Sequence, residues 1–371
     1  MPGFIPDILT TIAMIGCAYT VTGAVLAGRW RAPPPPRRDA RAWPSITMLK
    51  PLYGPEPDLA AKLNGFLDQD YPGAIAMLCG VADPADPALA SVPARAVRMV
   101  SAARHGSNAK VSNLVNMSGA ADGDILILSD SDMIVPRDYA SRVVAALEAP
   151  GVGAVTLPYA GLGETGGWSR MAAAGISWGF LPGVMVGLAT GMAKPCMGST
   201  IALRRETLDA IGGFARFGDL LADDHAIGAA VREQGLSVAV PPLIVTHGCT
   251  ETGLRALVAH ELRWNATVRM LDPAGYAGSL VTHPLAWALI AWIAGAGGWV
   301  LAAAIACRLI LAARIDYVVG RRTAPLWWLP ARDLLSFGIA VAAFFTRRVD
   351  WRGARLHMAD DGRMTAETET H

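Results

Sequence analysis

The placement of long apolar segments constrains this chain most: they lie toward its two ends and flank a mixed middle region. The first runs from Phe4 to Gly28 and is apolar except for Asp7 and a few hydroxyl residues. About 20 helical residues, each rising 1.5 Å, cross the hydrocarbon layer of a bilayer, which is roughly 30 Å thick. We therefore predict a transmembrane anchor over residues 1–30.

The residues after this anchor indicate its orientation. A cleaved signal peptide normally begins with basic residues, which this segment lacks. Arginines follow it instead, and basic residues tend to stay on the cytoplasmic side of a membrane. The next domain is therefore predicted to face the cytosol, after a stiff linker over residues 31–44 that contains Pro33–Pro36. The arginines are Arg29, Arg31, Arg37, Arg38 and Arg41.

The second apolar region covers residues 280–346 and predicts two or three further crossings. Its first part, Leu280–Ala313, would reach about 50 Å as one straight helix and overshoot a bilayer. A hairpin that turns near Gly295, Gly297 and Gly298 is the better fit. Buried helices of a large soluble domain are the alternative for all these apolar segments, but their terminal positions argue against it.

A third apolar run, Leu334–Phe345, follows Trp327 and Trp328, which are typical of the aromatic belt at a membrane–water interface. Charge does not settle the number of crossings. A hairpin before this run keeps the earlier arginines cytosolic but places four later ones outside, whereas a single crossing does the reverse. Three or four crossings in total both stay open, before a polar tail over residues 347–371. The earlier arginines are Arg314, Arg321 and Arg322, and the later ones are Arg347, Arg348, Arg352 and Arg355.

Composition narrows the function further. A hydrophobic fraction of 53% and a mean hydropathy of +0.35 are high for a wholly soluble protein. The net charge of +1 gives no support to a nucleic-acid partner, which would need a concentrated basic surface. An odd number of widely spaced cysteines indicates neither a disulfide framework nor a thiolate metal site. The five are Cys17, Cys79, Cys196, Cys249 and Cys307.

The middle of the chain, residues 45–250, reads as α/β. Short β-rich runs alternate with helix-length segments, which is typical of a mostly parallel sheet with helices on its faces. The predicted strands are Ile46–Lys50, Ile75–Val81, Ala96–Val100, Ile125–Ser129 and Val152–Pro158. The predicted helices are Asp58–Asp68 and Asn108–Ala120.

Acidic residues follow several of these strands, at the edge of the sheet where ligands bind in folds of this type. Asp83 follows the second strand, and Asp130 and Asp132 follow the fourth. Asp224, with Asp223 before it, opens a segment with helical periodicity. Acids at such positions also serve as Asx-turn or helix-capping residues, so each pattern alone is weak.

A fourth group lies on the predicted helix Leu254–Leu271, part of an amphipathic interfacial segment over residues 251–279. His260, Arg263 and Trp264 share one face of it, at positions i, i+3 and i+4. The alternative is a solvated face of an ordinary amphipathic helix.

Together these groups could transfer a sugar from a nucleoside diphosphate. The reaction needs stabilisation of the leaving diphosphate, a base for the acceptor hydroxyl and positioning of both substrates. Asp132, with Asp130 near the nucleotide, could hold Mg²⁺ or Mn²⁺, because hard cations prefer carboxylate oxygens. Arg263 could neutralise phosphate charge, and Asp224 could accept the hydroxyl proton.

With these groups in this order, the chain resembles inverting family 2 glycosyltransferases of the GT-A fold. It is most similar to the ceramide glucosyltransferase group and its bacterial relatives in hopanoid biosynthesis. The resemblance covers nearly the whole chain, and the further motifs that carry it are Met48–Gly54, Asp68–Pro72 and Gly106–Asn113. It implies a UDP-sugar donor, a membrane lipid acceptor and a bacterial inner (cytoplasmic) membrane location, with the catalytic domain in the cytosol.

The resemblance also implies roles for single residues. Asp83 matches the acid that contacts the uridine base, Asp130 and Asp132 match the metal-binding pair, and Asp224 matches the catalytic base. Lys110 matches a lysine that approaches the donor. His260, Arg263 and Trp264 match a (Gln/Arg)-x-x-Arg-Trp motif, from which this chain departs because His260 replaces Gln or Arg.

The acceptor stays open among ceramide, a hopanoid polyol and diacylglycerol. The motifs Cys196–Arg205, His260–Trp264 and Gly275–Ser279 favour the hopanoid branch. The apolar segment Trp168–Met197 predicts an interfacial platform for such a lipid, with a plain core helix as the alternative. Competing functions are a processive polysaccharide synthase and an inactive lipid-binding protein.

Overall fold

The computed structural model describes residues 4–30, 43–346, 348–351, 354–358 and 364–366. The predicted linker therefore lies outside the described residues except for Trp43 and Pro44, and so does much of the predicted polar tail. The helices are α1 (Phe4–Ala27), α2 (Leu59–Leu67), α3 (Ala109–Ser118), α4 (Tyr139–Leu147), α5 (Gly167–Gly175), α6 (Leu181–Thr190), α7 (Arg205–Ala210), α8 (Asp223–Glu233), α9 (Leu254–Leu271), α10 (Pro273–Ser279), α11 (Pro284–Ile293), α12 (Trp299–Val319) and α13 (Leu329–Ala342).

The strands form three sheets. The middle region contributes β1 (Ile46–Pro51), β2 (Ile75–Val81), β3 (Val97–Val100), β4 (Ile125–Leu128), β5 (Met133–Ile134), β6 (Val152–Thr156), β7 (Tyr159–Gly163), β8 (Ile201–Arg204), β9 (Ser237–Ala239) and β10 (Val245–Cys249). The end of the chain contributes β11 (Arg348–Trp351), β12 (Ala354–Met358) and β13 (Met364–Ala366), which pair with one another in antiparallel fashion.

The main sheet has seven strands in the order β3-β2-β1-β4-β8-β6-β9. Strands β3, β2, β1 and β4 are mutually parallel, and β8 alone runs antiparallel to both of its neighbours. This confirms the predicted mostly parallel α/β sheet. A smaller sheet, β5-β10-β7, lies beyond it and was not predicted.

Burial on both faces explains why the central strands read as continuous apolar runs. Met48 and Leu49 of β1 point to opposite faces of the sheet and are both fully buried, in two separate hydrophobic clusters. Full burial of a side chain of this size contributes about 1.5–3 kcal/mol. This core fixes the carboxyl ends of β2, β1 and β4 at one edge.

The apolar terminal segments form helices that pack on one another. Helix α1 contacts α11, α12 and α6, and the predicted turn near Gly295 separates α11 from α12. By length and composition, three described helical segments could cross a membrane, and the bent pair Pro273–Thr282 and Pro284–Ile293 could form a fourth. The three are Phe4–Ala27, Gly167–Thr190 and Leu326–Phe345.

The segment Trp168–Met197 is largely helical rather than a loop. Helix α5 continues through a π-helical turn, Ile176–Phe180, into α6. Trp178 is buried, and its indole N–H donates to Asp316 Oδ1 on α12 at 2.9 Å. Trp178 therefore joins the domain to the terminal helices and does not line an open platform, whereas Phe180 stays partly exposed.

Candidate active site

Three of the predicted acids meet at the carboxyl edge of the main sheet. Asp130 and Asp132 lie just after β4, and Asp224 is the second residue of α8. The strand end carries the first two, and the helix start carries the third. Gly198, in the connection before β8, joins Asp224 to Asp130. Its N–H donates to Asp224 Oδ2 at 3.0 Å, and its C=O accepts from the Asp130 N–H at 3.1 Å.

Gly198 is required by this close approach. A Cβ at this position would lie 2.7 Å from Asp130 Oδ2 and 3.1 Å from Lys110 Nζ. Any side chain would therefore displace the two groups that flank it. The sequence motif Cys196–Arg205, which contains Gly198, did not predict this role.

Lys110 lies among the carboxylates. Its ammonium group pairs with Asp130 Oδ1 at 2.8 Å and with Asp223 Oδ2 at 3.5 Å. Burial lowers the pKa of Lys110, but the charges of Asp130, Asp223 and Asp224 outweigh burial and raise it above its ordinary value. The lysine thus carries a permanent positive charge. It lies in the first turn of α3, which Asn108 caps by accepting a hydrogen bond from the Val111 N–H.

Asp224 has the electrostatic properties of a general base. Burial and the neighbouring charge of Asp223 raise its pKa to about 6, against the opposing charge of Lys110. A carboxylate with a raised pKa binds a proton more strongly and is still ionised at neutral pH. The backbone N–H groups of Gly198 and His225 hold its two oxygens in place.

Asp132 pairs with His247, a residue that the sequence did not predict for the site. His247, on β10, places its Nε2 3.2 Å from Asp132 Oδ2. Burial raises the pKa of Asp132, but the charge of His247 and its hydrogen bond lower it to about 2. Burial lowers the pKa of His247, but Asp132 raises it well above its ordinary value.

A file of aromatic rings runs from the acids to helix α9. Tyr159 stacks on Phe180 at 4.7 Å and lies 5.5 Å from the ring of His247. Trp264 continues the file, 6.0 Å from His247 and 4.3 Å from His260. Burial and the charges of Asp224, Asp130 and Asp132 raise the pKa of Tyr159.

His260, which replaces the Gln or Arg of the motif, pairs with a carboxylate. Its Nδ1 lies 2.6 Å from Oε1 of Glu251, which is buried just after β10. Burial raises the pKa of Glu251, but the hydrogen bond and charge of His260 lower it below its ordinary value. Arg263 lies half-buried on the same helix as His260 and Trp264, as predicted for this face.

Asp83 is the one predicted acid that the structure leaves apart from the others. It is exposed two residues after β2, and its carboxylate accepts from the Ala85 N–H at 2.8 Å in an Asx turn. Because β2, β1 and β4 are parallel, it lies on the same sheet edge as Asp130, with β1 between their strands.

Lys50 supports the Asp130 segment from beneath. It is fully buried at the end of β1, and its ammonium donates to Ser129 Oγ at 3.0 Å and to the Asp130 carbonyl at 2.9 Å. Burial lowers its pKa to about 7. The Phe66 ring lies 3.2 Å from the ammonium nitrogen.

The donor atoms fit a divalent cation that also needs ligands from a substrate. Asp132 Oδ1 is buried without a hydrogen-bond partner, while Oδ2 of the same carboxylate pairs with His247. Within the described residues, no three His, Cys, Asp or Glu side chains form a complete metal site. Mg²⁺ and Mn²⁺ sites of nucleotide enzymes commonly use one or two carboxylates together with substrate phosphates and water.

The mostly parallel sheet with acids at its carboxyl edge, flanked by helices long and apolar enough to span a membrane, is the arrangement expected of a glycosyltransferase of the GT-A fold. Residues 8–364 match the model of Glycosyl transferase family 21, and the chain belongs to this family. This confirms the resemblance to ceramide glucosyltransferases, although the family is 21 rather than 2. Membership in the hopanoid-associated subgroup stays a prediction.

Solved structures show weaker likeness. A mannosyltransferase from Pyrobaculum calidifontis, in complex with GDP-mannose and Mn²⁺, is 20% identical, with 91% of this chain and 99% of that chain covered and a TM-score of 0.49. The glucosyl-3-phosphoglycerate synthase from Mycobacterium tuberculosis is 19% identical, covering 62% and 80% of the two chains, with a TM-score of 0.38. GalNAc-T7 with UDP, GalNAc and Mn²⁺ is 11% identical, with 62% of this chain and 51% of that chain covered and a TM-score of 0.41.

Proposed function

We propose that this glycosyltransferase moves a hexose or N-acetylhexosamine from a UDP-sugar to a hydroxyl of a membrane lipid, with inversion at the anomeric carbon. The observation that carries the proposal is the position of Asp224. It flanks Gly198 opposite Asp130, and its pKa of about 6 suits it to accept a proton near neutral pH.

Asp132 and Asp130 would hold the metal ion together with phosphate oxygens of the donor, and His247 would position the Asp132 carboxylate. When bound, Mg²⁺ or Mn²⁺ supplies positive charge that stabilises the leaving diphosphate. The low pKa of Asp132 keeps this carboxylate ionised and ready to bind.

The other predicted residues surround the donor and acceptor. Asp83 would contact the uracil base from the β2 edge, and Lys110 would limit the repulsion between the carboxylates and a diphosphate. Arg263 and His260 would donate to phosphate or acceptor oxygens, with Trp264 packing beside them. The Glu251 carboxylate supports this role for His260, because it holds Nδ1 and leaves Nε2 for a substrate.

Transfer then needs one proton movement in the protein. The acceptor hydroxyl gives its proton to an oxygen of Asp224 as its own oxygen bonds to the anomeric carbon. The bond from that carbon to the diphosphate breaks, and UDP leaves with the electron pair. No covalent sugar–enzyme intermediate is needed, which accounts for inversion.

A lipid acceptor is favoured by where the site lies in the molecule. The aromatic file reaches Phe180, which precedes α6, and α6 packs on the terminal helix α1. A lipid hydroxyl could therefore approach Asp224 along this file while its chains stay among apolar helices. Ceramide and a hopanoid polyol are the preferred acceptors, and the catalytic domain is proposed to face the cytosol of a bacterial inner membrane.

The two competing functions have less support. A processive polysaccharide synthase would need a translocation channel through the membrane. The terminal helices are too few to build such a channel. An inactive lipid-binding protein would have no need for a base beside a cation site, yet Asp224 has a raised pKa next to Asp130.

Purified full-length protein in lipid nanodiscs tests the proposal directly. UDP release is measured with UDP-glucose and UDP-N-acetylglucosamine, with Mn²⁺ or EDTA, and with ceramide, a hopanoid polyol, diacylglycerol or no added lipid. We expect release only with Mn²⁺ and one of the lipids, together with a glycolipid detected by mass spectrometry. Polymer formation would support the processive alternative, and no turnover with any pair would support the binding alternative.

A further inference from the structure

The helical segment Leu326–Phe345, which contains α13, has the length of a membrane span but packs like a helix that lies along a surface. Its beginning and its end both contact α9, the helix that carries His260 and Trp264. Near its beginning, Arg332 Nη2 donates to Glu261 Oε1 at 2.5 Å. Just after its end, the Thr346 carbonyl accepts from Arg269 Nη2 at 2.9 Å.

These two contacts fix the direction of α13. Arg332 and Thr346 are 14 residues apart, or about 21 Å along a helix. A helix crossing the membrane steeply to α9 could touch it at one level only, whereas α13 runs beside it. Between these two positions α13 also contacts α10, where the Tyr276 hydroxyl donates to the Ala340 carbonyl at 3.0 Å.

Helix α9 itself must stay on the side of the membrane that holds the catalytic domain. It carries several charged residues within 18 positions, and Trp264 packs against His247 of the sheet β5-β10-β7. The start of α13 is also held to the domain: Trp328 lies near Arg170, and the Arg332 guanidinium occupies the space that a side chain on Gly175 would fill.

In contrast, α12 follows the anchor α1 along most of its length. Trp299 and Val300 border a cavity with Asp7 and Thr10 at one end. Further along, Leu311 approaches Gly23, and Arg314 approaches Gly28 at the other end. The two helices therefore run in the same direction, and α11 returns between these levels, with Pro284 against Gly16.

The outer face of α13 carries a single apolar stripe. Trp327, Leu334, Val341 and Phe345 are spaced by 7, 7 and 4 residues, so they share one face of the helical segment. All four are exposed, Trp327 by 78% and Phe345 by 84%. The opposite face bears Arg332 and Asp333, which are buried against the protein.

We propose that α13 is an in-plane membrane helix whose apolar stripe contacts the acyl chains of the leaflet next to the catalytic domain. The partner of this surface is the lipid bilayer, because α13 packs on α11 and α12, which carry the exposed apolar residues Ile293 and Ile310. The chain then crosses the membrane three times, through α1, the α10–α11 segment and α12. Helix α12 carries three charged residues and is no candidate span by composition, but it has 21 residues and follows α1. The chain after residue 346 lies on the same side as the catalytic domain.

This arrangement removes the conflict that charge posed for the crossing count. A third C-terminal crossing would carry the last arginines to the side opposite Arg314, Arg321 and Arg322. With α13 in the plane, Arg348 and Arg355 lie on the same side as these three, in agreement with the usual distribution of basic residues in membrane proteins. The connection between α11 and α12, at 294–298, is then the C-terminal part exposed on the far side.

Two measurements on the full-length protein in bacterial cells and nanodiscs test the proposal. In intact cells, a membrane-impermeant maleimide should label Ala296→Cys but should label Thr365→Cys only after the cells are permeabilised. Wild-type protein gives the background from the native cysteines. Labelling of Thr365→Cys in intact cells would overturn the in-plane helix or its orientation.

Spin labels at Trp327→Cys and Val341→Cys separate a surface helix from a crossing one even if labelling is inefficient. These positions are about 21 Å apart along the helix. We expect both labels at the same depth, within a few ångströms, measured by accessibility to oxygen and to a water-soluble nickel complex. One label in each leaflet would contradict the proposal, and Ile8→Cys with Val25→Cys on α1 provides the matched crossing control.

Discussion

The candidate active site has two halves that balance negative charge in different ways. In the lysine half, one ammonium group, that of Lys110, lies among the carboxylates of Asp130, Asp223 and Asp224. In the histidine half, each carboxylate pairs with an imidazole. These pairs are Asp132 with His247 and Glu251 with His260.

The two halves therefore supply different groups to the reaction. The pKa of Lys110 is raised above its ordinary value, so its proton stays in place and its charge is fixed. In the histidine half, each imidazole instead positions a carboxylate, and Asp132 keeps one oxygen without a hydrogen-bond partner that a cation can bind. The lysine half is therefore suited to set the proton affinity of a base, and the histidine half to bind a metal ion and phosphate.

The largest expected effect is in the lysine half. Asp224→Asn removes the proton acceptor while keeping the size of the side chain, and general base catalysis contributes about 10²–10⁴-fold to rate. We expect kcat to fall by roughly 10³-fold, measured as UDP release, with donor KM changed by less than about threefold. Retention of more than a tenth of the wild-type kcat would exclude Asp224 as the base.

A change in the histidine half should act on the metal instead. His247→Ala removes the partner that positions the candidate ligand Asp132, and we expect the Mn²⁺ concentration for half-maximal activity to rise by about 10- to 100-fold. His105→Ala, which removes an exposed histidine paired with Asn116, is the control and should leave the metal requirement unchanged. An unaltered requirement in His247→Ala would separate this residue from the metal.

The pH dependence sharpens the account of the lysine half. Activity requires ionised Asp224, so kcat should fall as pH drops through about 6, the pKa raised by burial and by Asp223. Asp223→Asn removes a neighbouring negative charge, which lowers the pKa of Asp224 and should move this acid limb to lower pH. Glu233→Gln, at the far end of α8, should not move it, and a shift to higher pH in Asp223→Asn would refute the assigned cause.

The smallest expected effect concerns the second imidazole pair. Glu251→Gln keeps a hydrogen-bond partner for His260 but removes its charge, and should reduce kcat/KM about threefold to tenfold. In a His260→Gln background the same change should have almost no effect, because the imidazole that it supports is gone. Equal effects in both backgrounds would show that Glu251 acts independently of His260.

Local periodicity was enough to predict most of the parallel half of the fold. Strand β2 and helix α9 begin and end at the predicted residues, and β1 differs by one residue, since their patterns are set by burial of nearby side chains. The smaller sheet was missed because β5 has only two residues and β7 contains two glycines. Neither offers a periodic signal.

The site was predictable where acids follow strands and obscure where partners lie far apart in sequence. Asp130, Asp132 and Asp224 could be proposed from their positions alone. His247 lies 115 residues after Asp132, and its one available signal was a histidine within the β-rich run Val245–Cys249. Gly198 gave none, because its role depends on the approach of Asp130 and Lys110 in three dimensions.

Helix α13 shows the same limit for the membrane part. Its apolar run has the length of a crossing, and only its contacts with Glu261 and Arg269 of α9 indicate a different orientation. Composition reports that a segment prefers lipid, but the angle to the membrane is set by packing against neighbouring helices.

The central claim is that Asp132 and Asp224 serve one site in different roles, and calorimetric titration of UDP with Mn²⁺ tests it most directly. Wild-type protein, Asp132→Asn and Asp224→Asn are compared under identical conditions. The account predicts that Asp224→Asn binds UDP within about threefold of wild type, whereas Asp132→Asn loses at least about tenfold in affinity. Equal affinity in wild type and Asp132→Asn would contradict it.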